Sequence, residues 1–320
     1  MCAMANDIGR VRVVLVAAAL AFTAACARRT ASPARDASGP ARLMTPQELT
    51  AVPADAPDLR AAYGVDSGQF GELRVPAGSG PHPLAILIHG GCFKAAYASY
   101  SDLALMADAL KESGIATWNV EYRRLGQPGG GWPGTYLDIG RAIDHVRELA
   151  GEHRLDLGRV VLVGHSAGGH LAMWAAARSR LPAASPLHTA APLPVRGVID
   201  LAGPVDMTAN IPGYQSLCRD SVITSLLGGT PAEAPERYAQ VSAIKLVPLG
   251  IPQLIVLGEH EDFVPRQFAE AYVDAAARAG DEVRLLVIPG VGHFEPASPR
   301  AATWPQVRSA IRALLDGRLP

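Results

Sequence analysis

Short runs of apolar residues alternate with longer stretches of helical hydrophobic spacing along most of the chain. Residues 84–88 and 160–163 are continuously apolar, which is typical of strands buried on both faces of a parallel sheet. Between such runs, apolar side chains recur every three or four residues, as at Leu103, Met106 and Leu110, which predicts amphipathic helices. The alternation predicts an α/β fold, with a mostly parallel sheet of about eight strands and helices on both faces.

The other elements follow from the same two patterns. Further strands are predicted at 70–75, 115–122, 195–201, 253–257 and 283–288. Helices are predicted at 99–113, 136–150, 170–178, 268–279 and 306–315. Since residues 70–75 alternate between apolar and polar side chains, we expect this strand at an edge of the sheet.

Two long segments interrupt the alternation. Residues 204–248, after the predicted strand at 195–201, contain several prolines and only partial helical spacing, which is typical of a cap or a substrate-shaping insertion. Residues 127–134 are a second loop, in which three glycines precede Trp132. Trp132 could line an acyl or aromatic pocket, and ordinary packing of one large ring is the alternative.

The first 26 residues differ from the rest. Arg10 and Arg12 precede an uncharged stretch, residues 13–25, that is too short for a comfortable transmembrane helix. Small residues then lead to Cys26. This pattern predicts a signal peptide over residues 1–26. It resembles a bacterial lipoprotein signal, which would leave Cys26 as the lipid-modified first residue of the mature protein.

The signal predicts an extracytoplasmic protein, anchored by lipid to a membrane at the periplasm or the cell surface. Thr23 is a less usual residue at its position, so secretion of a soluble protein is the alternative, and either Met1 or Met4 can be the start. Residues 27–60 are rich in Ala, Pro, Arg and Ser without sustained periodicity, which predicts a flexible linker. The globular domain is then expected over residues 61–320.

Composition gives information on possible partners and on the state of the cysteines. The chain of 320 residues has 49% hydrophobic and 18% charged residues with a net charge of −1, which is typical of a globular protein and gives no indication of nucleic-acid binding. With Cys2 removed in the leader and Cys26 modified, Cys92 and Cys218 remain. In an oxidising compartment they are candidates for a disulfide, and two free buried thiols are the alternative.

The strand at 160–163 leads directly into Gly164-His165-Ser166-Ala167-Gly168-Gly169, followed by a predicted helix. Strand, Gly-x-Ser-x-Gly and helix in this order indicate a nucleophile elbow, with the serine at the tip of a sharp turn. The strained backbone requires very small residues two positions away on each side, here Gly164 and Gly168. We therefore expect Ser166 to be a nucleophile; a glycine-rich turn in a binding fold is the alternative.

A serine nucleophile needs an imidazole base, which a carboxylate in turn orients. His293 lies in a glycine-containing turn directly after a late strand, where it can reach the carboxyl edge of the sheet, and it is the candidate base. The acid is expected after the strand at 253–257, since the chain order is then serine, acid, histidine. Glu261 and Asp262 are both candidates for this carboxylate.

The negative oxygen that forms during acyl transfer needs preorganised hydrogen-bond donors. Ala167, directly after the serine, supplies one candidate N–H group, and Gly91 and Cys92, after the strand at 84–88, supply two more. Three further histidines beside these motifs are expected to be structural: His89, His165 and His170. No zinc-ligand spacing, Walker loop or dinucleotide loop occurs in the sequence, so no metal and no cofactor are expected.

With these motifs in this order, the chain from about residue 63 to its end resembles the α/β-hydrolase superfamily. Three motifs resemble its esterase/lipase branch, which includes feruloyl-esterase-like and kynurenine-formamidase-like proteins and borders the prolyl-oligopeptidase-type hydrolases: His89-Gly90-Gly91, Glu121-Tyr122-Arg123 and Gly164-His165-Ser166-Ala167-Gly168-Gly169. The resemblance implies a Ser-His-acid triad, an oxyanion loop and a cap, without a cofactor. The pattern Gly-x-x-Asp-x-x-Val-Pro puts Glu261 at the acidic position, and Cys92 stands where many relatives carry Gly or an aromatic residue.

The expected function is that of a serine hydrolase acting on small carboxylic esters through an acyl-enzyme. An amidase of the arylformamidase type and a prolyl-oligopeptidase-like exopeptidase are alternatives, because the acyl-transfer chemistry is shared. A lipoprotein that uses the fold only for binding is a third hypothesis. The expected partners are therefore a small ester or amide substrate and, through the lipid anchor, a membrane.

Overall fold

The computed structural model describes residues 42–320. These residues form a domain around one eight-stranded sheet. The strands are β1 Leu59–Ala62, β2 Phe70–Arg74, β3 His82–Ile88, β4 Ala116–Val120, β5 Leu155–His165, β6 Gly197–Leu201, β7 Gln253–Gly258 and β8 Val283–Ile288. Their order in space is β1-β2-β4-β3-β5-β6-β7-β8. From β4 to β8 all pairs are parallel, whereas β1 and β2 run antiparallel to their neighbours. The mostly parallel sheet of about eight strands is confirmed.

Helices cover both faces of the sheet. They are α1 Ala104–Glu112, α2 Gly134–Ala150, α3 Ala167–Ala176, α4 Ile211–Cys218, α5 Val222–Leu227, α6 Pro235–Val241, α7 Arg266–Arg278 and α8 Trp304–Leu315. Helices α2, α3 and α7 pack in one apolar cluster, and α1 and α8 pack in the other. Along β3, Ile86 and Ile88 contribute to the first cluster and Ala85 and Leu87 to the second. Burial on both faces explains why this strand is continuously apolar.

The segment before β1 packs against the domain, in contrast to the flexible linker expected over residues 27–60. Residues 42–50, called the N-terminal strap below, include a 3₁₀ helix at Pro46–Leu49, and the Leu49 side chain is only 2% exposed. The Glu48 carboxylate accepts the N–H of Thr45 at 2.9 Å and so caps this short helix. The expected signal peptide, Cys26 and the linker up to residue 41 lie outside the described residues. Within residues 42–320, no helix is long and apolar enough to cross a bilayer.

The edge of the sheet also differs from expectation. β1 pairs with β2 and occupies the edge, so β2, expected at the edge, is the second strand. β1 consists of Leu59, Arg60 and two alanines with alternating partial exposure. Such a short strand with small side chains gives almost no hydrophobic signal, which explains why the sequence pattern does not predict it.

Helices α4, α5 and α6 lie in the segment 204–248, called the cap below, which follows β6. Two hydrogen bonds join its beginning to its end. The N–H of Ile244 donates to the carbonyl of Val205 at 3.1 Å, and the N–H of Met207 donates to the Ser242 hydroxyl at 3.1 Å. The cap is therefore a closed loop, and its first helix, α4, reaches the carboxyl edge of β5.

Candidate active site

Ser166 stands at the sharp turn between β5 and α3. Its backbone has φ 53° and ψ −122°, a conformation that L-residues rarely adopt, and the residue is only 4% exposed. A Cβ on Gly164 would lie 2.0 Å from the carbonyl oxygen of Gly168, and a Cβ on Gly168 would lie 2.0 Å from that of Ile88. Both positions therefore need glycine for steric reasons, as the elbow pattern implies.

The structure brings His293 and Glu261 together. Nδ1 of His293 lies 2.8 Å from Oε2 of Glu261, and the two side chains are 3% and 2% exposed. The other carboxylate oxygen of Glu261 accepts the N–H groups of Phe263 at 2.8 Å and Val264 at 3.1 Å. Asp262 is exposed. Of the two carboxylates that the sequence offers, Glu261 is the one that contacts the imidazole.

The loop after β3 approaches Ser166 with a strained backbone. Three successive residues have positive φ: Gly91 at 99°, Cys92 at 53° and Phe93 at 55°. A Cβ on Gly91 would lie 2.4 Å from the Cβ of Ala98, so this position admits only glycine. Among residues 42–320, the N–H groups of Gly91 and Cys92 have no hydrogen-bond partner. Ala167 is the first residue of α3, so its N–H also has no partner inside the helix.

Cys92 and Cys218 form a disulfide that joins this loop to the cap. Their Cα atoms lie 5.9 Å apart, and 126 positions separate them in the sequence. Cys218 is the last residue of α4. The bridge therefore fixes the cap to the loop that carries two of the candidate oxyanion donors.

His165 supports the turn that carries His293. Its Nε2 lies 3.0 Å from the carbonyl oxygen of His293, and since a carbonyl only accepts, this nitrogen carries the proton. Burial, with a smaller contribution from the neighbouring His293, lowers the pKa of His165 to about 3. His165 is therefore neutral across the physiological range.

The other two histidines bind backbone and neighbouring side chains. Nδ1 of His170 lies 3.1 Å from the carbonyl oxygen of Pro204, and its Nε2 lies 2.9 Å from the hydroxyl of Tyr136. Burial lowers the pKa of His170 to about 4, so it holds the beginning of the cap as a neutral ring. Nδ1 of His89 donates to the carbonyl of Gly90 at 2.9 Å. These contacts are those of structural residues.

Gly91, Cys92, Ser166 and His293 line one cavity of about 480 Å³. Its other walls include residues that no motif signalled: Pro46, Gln47, Tyr97, Asp102, Leu217 and Arg219. Two of these, Pro46 and Gln47, come from the N-terminal strap. Burial raises the pKa of Asp102 above the usual range for an aspartate. The cavity is of the size that small-molecule sites have.

Trp132, for which a pocket role and ordinary packing were both open, is not among the residues that line this cavity. Its ring packs edge-on against Tyr136 at 5.9 Å, and Arg237 lies over it at 5.7 Å. The backbone N–H of Trp132 donates to the backbone carbonyl of Leu226 at 2.7 Å. These contacts attach the loop 127–134 to the cap. Packing, the alternative, is the arrangement observed.

Two buried groups beside the elbow carry no sequence signal. Asp200, in β6, accepts the N–H of Gly203 at 2.6 Å through one oxygen, and the other oxygen has no partner within the described residues. Burial, together with the nearby Glu261 carboxylate, raises the pKa of Asp200 to about 7. Tyr214, in α4, places its hydroxyl 3.4 Å from Oγ of Ser166. Only the packing of the cap brings this residue to the serine.

No group of three or more His, Cys, Asp or Glu residues in the described part of the chain could hold a metal ion.

Comparison with known proteins gives several similar esterases. The chain is 25% identical over 251 residues to esterase LipC of Mycobacterium tuberculosis, and 29% identical over 150 residues to esterase LipQ of the same organism. These matches cover 77% and 47% of this chain, and only 62% and 35% of the two relatives. The chain thus spans less than two thirds of the length of each of these relatives.

A solved structure is similar over most of the fold. Esterase B from Lactobacillus rhamnosis has a TM-score of 0.70 and 20% identity, and the match covers 85% of this chain and 90% of the esterase. That esterase has also been solved with a tributyrin phosphonate inhibitor. Residues 73–275, more than half of the chain, match the model of the BD-FAE family. This chain belongs to the BD-FAE family and has the α/β-hydrolase fold of the esterase/lipase proteins.

Proposed function

We propose that the protein is a serine hydrolase that cleaves small carboxylic esters through an acyl-enzyme intermediate. The observation that carries the proposal is the 2.8 Å contact between His293 Nδ1 and Glu261 Oε2, in a cavity that His293 shares with Ser166. A buried imidazole oriented by a carboxylate, beside a serine on a strained turn, is the arrangement that activates a hydroxyl nucleophile. Membership of an esterase/lipase family supports the same chemistry.

In the proposed mechanism, Oγ of Ser166 attacks the ester carbonyl carbon while Nε2 of His293 takes the hydroxyl proton. Glu261 keeps the proton on Nδ1 and stabilises the positive imidazolium. The imidazolium then protonates the departing alkoxide, which leaves an acyl group on Ser166. A water molecule, deprotonated by His293, releases the acid and restores the serine.

The oxyanion of each tetrahedral intermediate would be held by backbone N–H groups of Gly91, Cys92 and Ala167. The unpartnered state of the first two N–H groups among residues 42–320 supports this role. A donor that is already fixed before the reaction stabilises the transition state without reorganisation. The disulfide at Cys92 and the steric demand at Gly91 both restrict this loop.

The size of the cavity, about 480 Å³, supports substrates with a short or medium acyl group. Relatives named as esterases favour an ester over an amide as the bond cleaved. A series of p-nitrophenyl esters from acetate to octanoate, compared with N-formylkynurenine and aminoacyl arylamides, measures this preference. Faster turnover of either amide class than of every ester would replace ester hydrolysis with the amidase or exopeptidase alternative.

The first experiment is labelling of the purified protein with a fluorophosphonate probe. We expect covalent labelling of the wild type, none of Ser166→Ala, and slow labelling of His293→Ala. A wild type that stays unlabelled and turns over no ester would reject the catalytic function and leave the binding-lipoprotein hypothesis. Equal labelling of Ser166→Ala would show that another residue reacts.

We further propose that the protein is extracytoplasmic and anchored to a membrane through lipid on Cys26. The disulfide supports an oxidising compartment, because such bonds are rare in reducing cytosol. Fractionation of cells that produce the wild type or Cys26→Ser tests the anchor. We expect the wild type in the membrane fraction and the variant in the soluble fraction; equal membrane retention would contradict the proposal.

A further inference from the structure

Tyr214 is the only side chain of the cap whose polar atom contacts the serine hydroxyl within the described residues. Its hydroxyl lies 3.4 Å from Oγ of Ser166, and the whole residue is buried. This separation is long for a hydrogen bond between two hydroxyl groups, which is usually about 2.7–2.8 Å. The resting serine therefore gains little from Tyr214, and the phenol remains available to another acceptor.

The phenol approaches the serine from the side of the oxyanion loop. Tyr214 and Cys218 are four residues apart in α4, so they share one face of the helix. Cys218 is bonded to Cys92, whose N–H is a candidate oxyanion donor. The ring of Phe93, the next residue of the same loop, lies 6.1 Å from the ring of Tyr214. The tyrosine thus packs on the loop that faces the developing negative charge.

The phenol also keeps its proton. Burial raises the pKa of Tyr214 far above the usual range for a tyrosine, and the carboxyl groups of Asp200 and Glu261 add to the effect. The contact with Ser166 opposes this shift without reversing it. At neutral pH the side chain is therefore a hydrogen-bond donor, as an oxyanion requires.

We propose that Tyr214 is a catalytic residue, whose hydroxyl donates a hydrogen bond to the oxyanion of the tetrahedral intermediate. The inference rests on the proposed serine hydrolase function. As the bond from Oγ to the carbonyl carbon forms, the π electron pair moves to the carbonyl oxygen and the serine proton moves to His293. Tyr214 transfers no proton. Its O–H donates to the former carbonyl oxygen of the ester, which is bonded to the same carbon as Oγ. The backbone N–H groups of Gly91, Cys92 and Ala167 donate to the same oxygen.

A donor of this kind favours the transition state over the bound ester. The carbonyl oxygen of the ester carries a partial charge, whereas that of the intermediate carries a full one, and the hydrogen bond strengthens accordingly. The cap thereby takes part in the chemistry as well as shaping the pocket. The disulfide, one helical turn from Tyr214, keeps the phenol and the backbone donors in one rigid group.

The test is Tyr214→Phe, which removes the hydroxyl and keeps the ring. We expect kcat to fall on the order of 10²-fold, the usual effect of losing one oxyanion donor, with little change in KM. The matched control is Tyr238→Phe in α6. The Tyr238 ring is also buried in the cap, and its hydroxyl donates to the carbonyl of Gly229 at 3.0 Å, away from the serine. Its kcat should stay within about twofold of the wild type.

A second measurement separates catalysis from packing. A trifluoromethyl ketone analogue of the ester adds to the serine and forms a tetrahedral oxyanion, so its inhibition constant should rise in Tyr214→Phe by the same factor as kcat/KM falls. All rates are expressed per site titrated with the fluorophosphonate, so loss of folded protein does not enter. An unchanged kcat, or a loss confined to KM with an unchanged inhibition constant, would overturn the role of Tyr214. A wild type without activity or labelling would instead reject the proposed function itself.

Discussion

Oε2 of Glu261 lies 2.8 Å from Nδ1 of His293, whereas the neighbouring Asp262 is exposed. The carboxylate contacts the imidazole because its other oxygen accepts two backbone N–H groups, those of Phe263 and Val264. The loop thereby fixes the orientation of the Glu261 carboxylate that contacts the imidazole. Glutamate, which is longer than aspartate, can orient the imidazole here because both carboxylate oxygens have hydrogen-bond partners.

Replacing Glu261 and Asp262 separately by the corresponding amides should show which of them acts as the acid. We expect Glu261→Gln to lower kcat by about 10³–10⁴-fold, since the imidazole loses the charge that stabilises its protonated form. Asp262→Asn, one residue along the same loop, should retain wild-type kcat. Steady-state hydrolysis of p-nitrophenyl acetate measures both. The opposite ranking would assign the acid to Asp262.

The disulfide should contribute strongly to stability. It closes a loop of 126 positions, for which the chain-entropy model gives about 4–5 kcal/mol. We expect a double variant, Cys92→Ser with Cys218→Ser, to unfold at a lower urea concentration than the wild type. Dithiothreitol should shift the wild type to the same midpoint and leave the double variant unchanged. Two thiols that titrate in the denatured, unreduced wild type would contradict the bond.

Asp200 should impose a pH dependence on stability. Its pKa is raised in the folded state to about 7, so the folded protein binds a proton more tightly than the unfolded chain does. The resulting stabilisation is complete below about pH 4 and is lost as the pH rises to about 7, at about 1.4 kcal/mol per pH unit. Asp200→Asn lacks this titration.

The free energy of unfolding of Asp200→Asn, relative to that of the wild type, should therefore increase between pH 4 and pH 7 and then stay level. Urea denaturation at several pH values measures the difference. The lowered pKa values of the buried His165 and His170 stabilise the folded state as the pH rises. Since both histidines are present in both proteins, this contribution cancels from the difference. Parallel stability curves of the two proteins over this range would show that Asp200 is ionised throughout.

Glu295 should couple the N-terminal strap to the turn that carries His293. Its buried carboxylate accepts the N–H of Met44 at 2.6 Å and that of Gly292 at 3.0 Å. Glu295→Ala leaves both N–H groups without this acceptor, at a cost of about 1–3 kcal/mol for a buried group, and frees the turn next to His293. We expect the melting temperature and kcat to fall together.

Glu233→Ala is the control for this prediction. Glu233 likewise accepts a backbone N–H, that of Thr230, in an exposed turn of the cap. Its loss should leave kcat unchanged. An unaltered kcat in Glu295→Ala would mean that the strap only covers the core and does not position His293.

Sequence motifs and hydrophobic patterns predicted those parts of the site that are determined by a few consecutive residues. The elbow at Ser166 needs glycine on both sides for steric reasons, and the turn after β8 carries His293 where the chain order requires it. The same patterns predicted the parallel strands, because burial on both faces leaves a continuous apolar run. The regular alternation with helices predicted the parallel direction of these strands, whereas their pairing order, with β1 at the edge, was not predicted.

The rest depends on contacts between distant segments. Tyr214 reaches Ser166 through the packing of the cap, and no spacing in the sequence records that contact. The choice between Glu261 and Asp262 depends on the curvature of one loop, which a pattern of residue types leaves open. The strap was expected to be flexible because its composition is that of a linker, although Leu49 inserts into the core.

The bond between Cys92 and Cys218 also determines how the protein should be produced. A host whose cytoplasm reduces thiols would yield a chain in which the loop after β3 and α4 are held together by noncovalent contacts alone. Activity measured on such material would describe a different molecule from the oxidised one, even when the two have the same mass within two hydrogen atoms. Export to an oxidising compartment, or refolding with a glutathione couple, is therefore part of any quantitative assay of this protein.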